Sequence, residues 1–311
     1  MDNKTFHHIP VMLDECIEFL DIKPNGIYLD GTAGGGGHSE QIAKRLADGK
    51  LIAIDKDSAA IKALNTRLNP YFCVRVVKAD FCEMDTVLDS MGIGLLDGIL
   101  LDLGVSSHQL DTSERGFSYH QDAALDMRMS GEGISARDLV NSYSAGELSR
   151  IFWDFGEERY ARGIAARILR EREKMPIEST AQLAEIIKSA IPPAARRDGH
   201  PAKRVFQALR IAVNGELDSL SRILVLGFER LRVGGRFAVI TFHSLEDRMV
   251  KQAFLAYTTG CVCPPEFPIC VCAKAPRAKH IGRKPIIPSE REIEQNNRAR
   301  SAKLRIVERL A

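Results

Sequence analysis

The chain alternates short β-rich runs with helical patterns over its first hundred residues, and this alternation limits the fold more than any other feature. It is typical of βαβ units that build a parallel sheet. The strands and helices predicted here lie at 27–29, 39–46, 51–54, 59–68, 74–77 and 99–101. The last run, Ile99-Leu-Leu101, is apolar throughout, as expected of a strand buried on both faces.

The alternation then stops and later resumes. Residues 113–202 show only polar loops and helical patterns, at 136–141, 145–152, 159–172 and 180–191. A connection of that length is uncommon as a loop within a compact domain. Beyond it the sequence predicts one long helix over 204–231, a turn at Gly234-Gly235, and strands over 236–241 and 303–308.

We therefore predict an α/β fold with two domains. A Rossmann-like sheet domain would consist of residues 1–112 and 203–311, the second part ending in a basic segment. An inserted all-helical domain would consist of residues 113–202.

A glycine-rich turn follows the first predicted strand, in the run Asp30-Gly-Thr-Ala-Gly-Gly-Gly-Gly-His38. Glycine allows positive φ and close approach to a ligand, and nucleotide-binding sheets hold ligands at this edge. Asp55 ends the second strand, where an acid grips ribose hydroxyls. The dinucleotide pattern G-x-G-x-x-G does not fit, because Ser39 stands where its third glycine belongs. Acids at this turn would repel a pyrophosphate and suit a cation, which favours S-adenosylmethionine over NAD.

Two further residues follow strands at the same predicted edge. Asp102 lies in the run Asp97-Gly-Ile-Leu-Leu-Asp-Leu-Gly-Val-Ser-Ser107, and we predict a functional acid there, with a simple turn cap as the alternative. Phe81 follows the third strand and would either contact an adenine ring or serve as an ordinary core aromatic.

His243 follows the strand predicted at 236–241, in the run Phe242-His-Ser-Leu-Glu-Asp-Arg248. Its ring could accept a proton or stack on an extruded base. Ser244 as a helix N-cap, with Asp247 in the first turn, is the structural alternative. That alternative leaves His243 unexplained.

Charge placement points to RNA. The whole chain carries a net charge of +2, yet residues 274–309 hold eleven Lys and Arg against four Glu. A basic stretch of this kind suits a phosphate backbone, although a solvated basic tail has the same composition. Arg298 and Arg300 lie in this stretch, and Arg196, Arg197 and Lys203 form a second basic cluster.

Seven cysteines and the N-terminal sequence bear on the compartment. Met1 to Pro10 shows no secretory signal pattern, and no apolar stretch is long enough to cross a bilayer, so we predict a cytoplasmic protein with reduced thiols. Four of the thiols form two C-x-C pairs, at Cys261, Cys263, Cys270 and Cys272. Structural zinc sites more often use C-x-x-C pairs, so reduced thiols in a loop are favoured and a structural zinc is the alternative.

Six spaced motifs resemble those of the MraW family of ribosomal RNA small subunit methyltransferases, over about residues 8–309. They are Asp30–His38, Asp97–Ser107, Arg115-Gly-Phe-Ser118, Leu125-Asp-Met-Arg-Met129, Phe242–Arg248 and Asn297-Arg-Ala-Arg-Ser301. Gly35 departs from the pattern, because a larger or charged residue is expected there. This should loosen the turn without removing a ligand contact.

The resemblance implies a class I S-adenosylmethionine-dependent methyltransferase with a helical insertion. It also implies methyl transfer to N4 of a cytosine in the decoding centre of 16S rRNA, within the small ribosomal subunit. The implied cofactor residues are Gly36, Gly37, His38, Asp55, Phe81, Asp102 and Gln109.

Other readings remain at this point. The chain lacks the Asp/Asn-Pro-Pro-aromatic motif of many amino-methyltransferases but keeps the acid, so Asp102 and His243 are the predicted catalytic residues. The alternatives are a catalytically silent rRNA-binding assembly factor, or a methyltransferase acting on DNA, protein or a small molecule. The sequence leaves the oligomeric state open, including a homodimer.

Overall fold

The structure is a computed structural model that describes residues 10–196, 200–261, 263, 269, 271–272 and 274–310. Its helices are α1 (Leu13–Leu20), α2 (Gly37–Ala43), α3 (Ser58–Leu68), α4 (Met84–Ser90), α5 (Ser107–Asp111), α6 (Ala136–Ser142), α7 (Ala145–Gly156), α8 (Ala161–Arg172), α9 (Thr180–Ala190), α10 (Lys203–Asn214), α11 (Glu216–Glu229), α12 (Ser244–Thr258) and α13 (Glu290–Gln295). Its strands are β1 (Ile27–Asp30), β2 (Lys50–Asp55), β3 (Val74–Lys78), β4 (Leu96–Asp102), β5 (Leu231–Thr241), β6 (Ala278–Ile286) and β7 (Lys303–Arg309).

The strands form one seven-stranded sheet in the order β3-β2-β1-β4-β5-β7-β6. The neighbours from β3 to β5 are parallel, whereas β7 runs antiparallel to both β5 and β6. This mixed sheet confirms the predicted α/β, Rossmann-like fold class. Because β1, β2 and β4 are parallel neighbours, the acids that follow them meet at one edge.

Both faces of the sheet are buried, which explains why its strands read as continuous apolar runs. Helices α4, α11 and α12 cover one face, and α1, α2 and α3 cover the other. Alternate residues of β1, β2 and β4 face opposite sides, Leu29, Ile52 and Ile99 on one and Tyr28, Leu51 and Leu100 on the other.

The chain divides into two compact units. The sheet unit contains Met1–Gly104 and Asp218–Ala311, and the helical unit contains Val105–Leu217. The second unit contains the whole of the predicted insertion at 113–202. It extends past residue 202 because the helix predicted over 204–231 is two helices, of which only the second packs on the sheet. Gly215, with φ of 59°, ends α10 in the left-handed conformation.

The break at Gly215 assigns the two helices to different cores. In α10, Val205, Phe206 and Leu209 pack in the core of the helical unit. The buried residues of α11, by contrast, belong to a core on the sheet.

One expectation near the sheet was wrong. Gly234 and Gly235 lie within β5 rather than in a turn before it, and Gly234 has φ of 80° where the pairing with β4 shifts register. The register of the pairing between β4 and β5 changes between Leu96 and Gly98. This is a bulge-like irregularity, which glycine accommodates. Helix α1 and strand β6 were not predicted. Among the described residues, no helix has the length and apolar character needed to span a membrane.

In the helical unit, the motif Arg115–Ser118 is hydrogen-bonded to the motif Leu125–Met129. The Arg115 carbonyl accepts from Met127 N at 3.0 Å, and Arg115 Nη2 donates to the carbonyls of Arg128 and Met129, both at 2.9 Å. Gly116 follows with φ of 70°, and a Cβ there would lie 2.3 Å from the Ala124 carbonyl oxygen. Backbone crowding and backbone conformation therefore both require glycine at this position.

We predict that Gly116→Ala destabilises the helical unit by about 3 kcal/mol or more, because it combines left-handed strain with a backbone clash. Gly131→Ala is the matched control: its φ is 80°, but nothing lies within 4 Å of the added Cβ. The control should cost only about 1–2 kcal/mol. Trp153 is the single tryptophan and lies in this unit, so its fluorescence during urea unfolding measures both effects. Equal losses in the two variants would contradict the clash.

Candidate functional site

The glycine-rich turn is tied to β2 through the Asp55 carboxylate. Asp55 Oδ2 accepts from Gly34 N at 2.8 Å, and Oδ1 accepts from Asp57 N at 2.8 Å. Gly34 and Gly36 have φ of 50° and 80°, so the turn uses the left-handed conformation twice. Burial raises the pKa of Asp55 to about 6. Each oxygen still has a lone pair for a ligand hydroxyl.

The two predicted glycine contacts have structural reasons as well. Gly36 is the N-cap residue of α2. A Cβ on Gly37 would lie 2.2 Å from Pro10 Cγ, so close packing against the chain before α1 already excludes a side chain there. Their direct contact with a cofactor stays a prediction.

Asp30 is buried behind the turn, with only 1% of its surface exposed. Its Oδ2 accepts from Ser39 Oγ at 2.6 Å, and its Oδ1 accepts from Thr32 N at 3.2 Å. Burial raises its pKa to about 6, and the neighbouring Asp55 charge adds to the rise. The Asp30 carboxylate therefore stabilises the glycine-rich turn by hydrogen bonds to residues at its two ends.

Asp102 ends β4, next to β1 on the side opposite β2, so the three acids Asp55, Asp30 and Asp102 follow one another along what we call the carboxylate edge. Its backbone N–H donates to Thr32 Oγ1, which joins β4 to the glycine-rich turn. Its Oδ1 is buried and has no hydrogen-bond partner among the described residues. Burial, together with the charges of Asp30, Glu246 and Glu292, raises the pKa of Asp102 well above its usual value. A buried carboxylate oxygen without a hydrogen-bond donor is uncommon, and a bound water or ligand would satisfy it.

His38 is oriented towards Asp102 by the backbone. Its Nε2 lies 3.0 Å from the Val11 carbonyl oxygen, which can only accept, so Nε2 carries the proton of the neutral ring. Its Nδ1 lies 3.9 Å from Asp102 Oδ2. The lone pair on Nδ1 therefore faces the carboxylate.

The edge has the chemistry of a site for a cationic ligand. Asp30, Asp55 and Asp102 follow adjacent strands, and all three have raised pKa values because the protein solvates their negative charge poorly. A ligand with a sulfonium and an ammonium group would offset that charge. Its ribose hydroxyls could donate to Asp55, and the charge of Asp102 would offset its positive charge.

Phe81 lies beside this turn and is partly buried against the sheet core. A Cβ on Gly31 would lie 3.1 Å from Phe81 Cβ, so the ring begins immediately next to the turn. Asp80, before it, pairs with Lys56 at 3.2 Å. Burial acts to raise the pKa of Asp80, but Lys56 and the Cys82 N–H outweigh it, and the net shift is downward.

His243, and not Ser244, is the N-cap of α12. His243 Nδ1 accepts from Glu246 N at 3.4 Å, while Glu246 Oε2 accepts from the backbone N–H groups of Phe242 and His243. His243 Nε2 lies 3.0 Å from Glu246 Oε1, although the angle is not that of a hydrogen bond. Asp247 accepts from Lys303 and Arg305 at 3.1 and 2.7 Å. The cap thus explains a histidine that sequence reasoning left unexplained.

Gln109 belongs to the helical unit, whereas the other predicted cofactor residues belong to the sheet unit. It is buried in a capping box of α5, where its Oε1 accepts from Ser106 N at 3.0 Å. Its role as a cofactor contact stays a prediction.

The predicted RNA-binding residues fall in both units. Arg298 and Arg300 are exposed on the short 3-10 turn Asn297–Ser301 of the sheet unit. In the helical unit, Lys203 is exposed, and Arg196 Nε donates to the Ile191 carbonyl at 2.9 Å. Arg197 lies outside the described residues.

The positive charge of residues 274–309 is partly neutralised in the structure by acids, some of which come from outside this stretch. Four cations of the 274–309 stretch pair with acids: Arg277 with Glu229, Lys279 with Glu308, and Lys303 and Arg305 with Asp247. Glu229 and Asp247 come from other parts of the chain. These pairs lower the net positive charge that the segment presents to a partner.

Three of the four clustered thiols come together. The sulfur atoms of Cys261, Cys263 and Cys272 all lie within 4.8 Å of one another. Cys270, the fourth thiol of the predicted alternative, lies outside the described residues.

Sequence reasoning missed several residues that build the site. Thr32 was visible in the motif only as a spacer between glycines, and Ser39 only as the residue that breaks the dinucleotide pattern. Glu246 and Glu292 carry charge towards Asp102, and Glu292 Oε1 also accepts from Met12 N at 2.6 Å. Nothing in a single sequence signals a contact across 280 residues.

Comparison with known proteins bears on this site. The sequence model of the MraW methylase family matches residues 5–310. Two curated proteins named Ribosomal RNA small subunit methyltransferase H are similar: one from Brevibacillus brevis, 51% identical and covering 100% of both chains, and one from Lachnospira eligens, 52% identical and covering 98% of both. A solved rRNA methylase structure from Streptococcus thermophilus has a TM-score of 0.38 at 13% identity, covering 96% of this chain and 94% of that one. The chain therefore belongs to the MraW methylase family, which confirms the methyltransferase activity and the S-adenosylmethionine cofactor predicted from its sequence.

Proposed function

We propose that this protein transfers a methyl group from S-adenosylmethionine to N4 of a decoding-centre cytosine in 16S rRNA of the small ribosomal subunit, in the cytoplasm. Family membership and the name shared by relatives of about half identity support the rRNA substrate. The observation that carries the chemistry is the buried Asp102 Oδ1, which lacks a partner among the described residues at an edge rich in carboxylates.

The exocyclic amine of cytosine is a poor nucleophile because its lone pair is delocalised into the ring. When bound, S-adenosylmethionine supplies an electrophilic methyl group on a sulfonium. The protein's part is to hold the amine so that its lone pair points at that methyl. Asp102 Oδ1 accepts an N4 hydrogen, which orients the amine and stabilises the positive charge that develops on nitrogen.

The surplus proton on N4 then needs an acceptor. Asp102 can take it, because the pKa of this carboxyl is raised by burial and by neighbouring acids. His38 Nδ1 is next, 3.9 Å from Asp102 Oδ2 with its lone pair inward. The Val11 carbonyl keeps Nε2 protonated, so the ring can receive the proton only at Nδ1.

RNA contact is proposed for Arg298, Arg300, Arg196, Arg197 and Lys203. The turn Asn297–Ser301 supports this most directly, since both of its arginines are exposed. A homodimer is also kept as a proposal, and light scattering of the purified protein tests it.

The function is tested with small subunits from cells that lack this protein. Purified protein and S-adenosylmethionine should add one methyl group to a cytosine amine of 16S rRNA, detected by mass spectrometry of nuclease fragments. Protein-free 16S rRNA in a parallel reaction separates naked from assembled substrate. If neither substrate gains a methylated cytosine while the protein binds the cofactor, the proposed acceptor is wrong.

We predict that Asp102→Asn lowers methyl transfer on the order of 100-fold or more, because the amide cannot accept the amine proton or balance its charge. The same change should raise Tm at pH 7. The raised pKa means that the folded state holds this proton more tightly than the unfolded state, so the ionised carboxyl destabilises the fold. The gain should shrink as the pH falls towards 4 and disappear below about pH 3, where Asp102 is protonated in both states.

Asp97→Asn is the matched control, at the other end of β4. Asp97 Oδ2 accepts from Ile27 N at 2.9 Å and pairs with Arg232 at 3.4 Å. This variant should lose thermal stability and keep its rate per folded molecule. Wild-type activity in Asp102→Asn would rule out the proposed role of Asp102.

We predict that His243→Asn separates capping from chemistry. Asparagine is a good N-cap, so thermal stability should stay close to that of the wild type. If the imidazole acts directly on the base or its proton, methyl transfer should fall by about 100-fold. His243→Ala, which also removes the cap, should lower both activity and stability. Full activity in His243→Asn would mean that His243 serves only as a cap.

We predict that Arg298→Ala/Arg300→Ala weakens binding to 16S rRNA and lowers the salt dependence of log K by about 1.5, because two phosphate contacts are lost. Arg45→Ala/Lys50→Ala removes the same charge from exposed positions elsewhere in the sheet unit. Fluorescence titrations at several salt concentrations compare the two variants. An equal change in salt dependence would show that only net charge matters.

A further inference from the structure

The segment between α12 and β6 contains a cluster of thiols that the methyl-transfer site does not use. This cysteine cluster consists of Cys261, Cys263 and Cys272, whose sulfur atoms all lie within 4.8 Å of one another. The Sγ atoms of Cys261 and Cys272 are 3.7 Å apart. The cluster follows α12 and precedes the strand at the edge of the sheet.

The spacing of the sulfurs suits a tetrahedral metal. A zinc–sulfur bond of about 2.3 Å in a tetrahedral site places two sulfurs about 3.8 Å apart. The observed 3.7 Å between Cys261 and Cys272 is close to that value. It is far longer than a disulfide, which is about 2.05 Å.

Backbone donors also point at the sulfurs. Val271 N donates to Cys263 Sγ at 3.4 Å, and Cys263 N donates to Cys261 Sγ at 3.4 Å. Such N–H···S contacts favour the thiolate and orient it, as the outer contacts of metal sites do. The described group contains sulfur ligands only, and thiolates select zinc or copper(I) over calcium or magnesium.

We propose that the cysteine cluster binds one structural Zn²⁺ through Cys261, Cys263 and Cys272. A closed tetrahedral site needs one further ligand. Cys270, the fourth thiol of the two C-x-C pairs, lies outside the described residues. The spatial grouping reverses the preference drawn from the C-x-C spacing alone. The metal would tie the beginning of the connection after α12 to its end before β6. Its sulfur ligands differ from the oxygen atoms of the carboxylate edge, so the two sites have different chemistry.

The test uses untagged, full-length protein purified under reducing conditions from cells grown with added zinc. Elemental analysis should find about one zinc per chain. Replacement by Co²⁺ should give the near-ultraviolet charge-transfer absorption of thiolate ligands. Competition with a chromophoric chelator then measures zinc affinity.

Each of Cys261→Ser, Cys263→Ser and Cys272→Ser should weaken zinc binding by at least about 100-fold, since loss of even an outer-shell partner costs 10- to 100-fold. Cys263→His, which offers another zinc ligand, should retain the metal. Cys73→Ser is the matched control, because Cys73 is partly buried elsewhere in the sheet unit. The control should bind zinc like the wild type.

The proposal is overturned if the wild-type protein contains no stoichiometric zinc and Co²⁺ gives no thiolate absorption. It is also overturned if the three serine variants retain wild-type zinc affinity. None of these measurements involves methyl transfer, so they stand apart from the test of the proposed function.

Discussion

Two backbone hydrogen bonds to the Asp55 carboxylate hold the site together. They connect the turn after β1 to the loop after β2, and they fix Gly34 where only a residue with positive φ fits easily. Thr32, in the same turn, accepts from the backbone of Asp102 at the end of β4. Three parallel strands are thereby joined at their carboxyl ends by polar contacts. The position of every proposed cofactor contact in the sheet unit depends on that junction.

The same junction is costly for the fold. Burial raises the pKa values of Asp30 and Asp55 to about 6, from an ordinary 3.8. Between those pH values the folded protein binds protons that the unfolded chain has released, so stability falls as the pH rises. At neutral pH the cost is on the order of 3 kcal/mol for each carboxylate. A bound cation would offset part of this free-energy cost. The buried carboxylates therefore both destabilise the free protein and favour binding of a positively charged cofactor.

The sequence predicted the parts of the fold and site that depend on local patterns. Strands β1 to β4, the positive-φ glycines and the acids after parallel strands all follow from short runs of residues. The break at Gly215 was missed because α10 and α11 share one helical periodicity, and only their packing in different cores separates them. The capping role of His243 was missed because Ser is the commoner N-cap. Acids from distant parts of the chain were invisible too: Glu292 near Asp102, and Glu229 and Asp247 against the basic segment.

The order of the last strands has a consequence for folding. Among the described strands, β6 is hydrogen-bonded only to β7, which lies between it and β5. Because β6 precedes β7 in the chain, β6 cannot join the sheet until the later strand has docked on β5. Displacing β7 would remove all the strand pairing that β6 has among the described residues, so the pairings of both strands are expected to be lost together. This end of the sheet is therefore expected to open as a single cooperative unit.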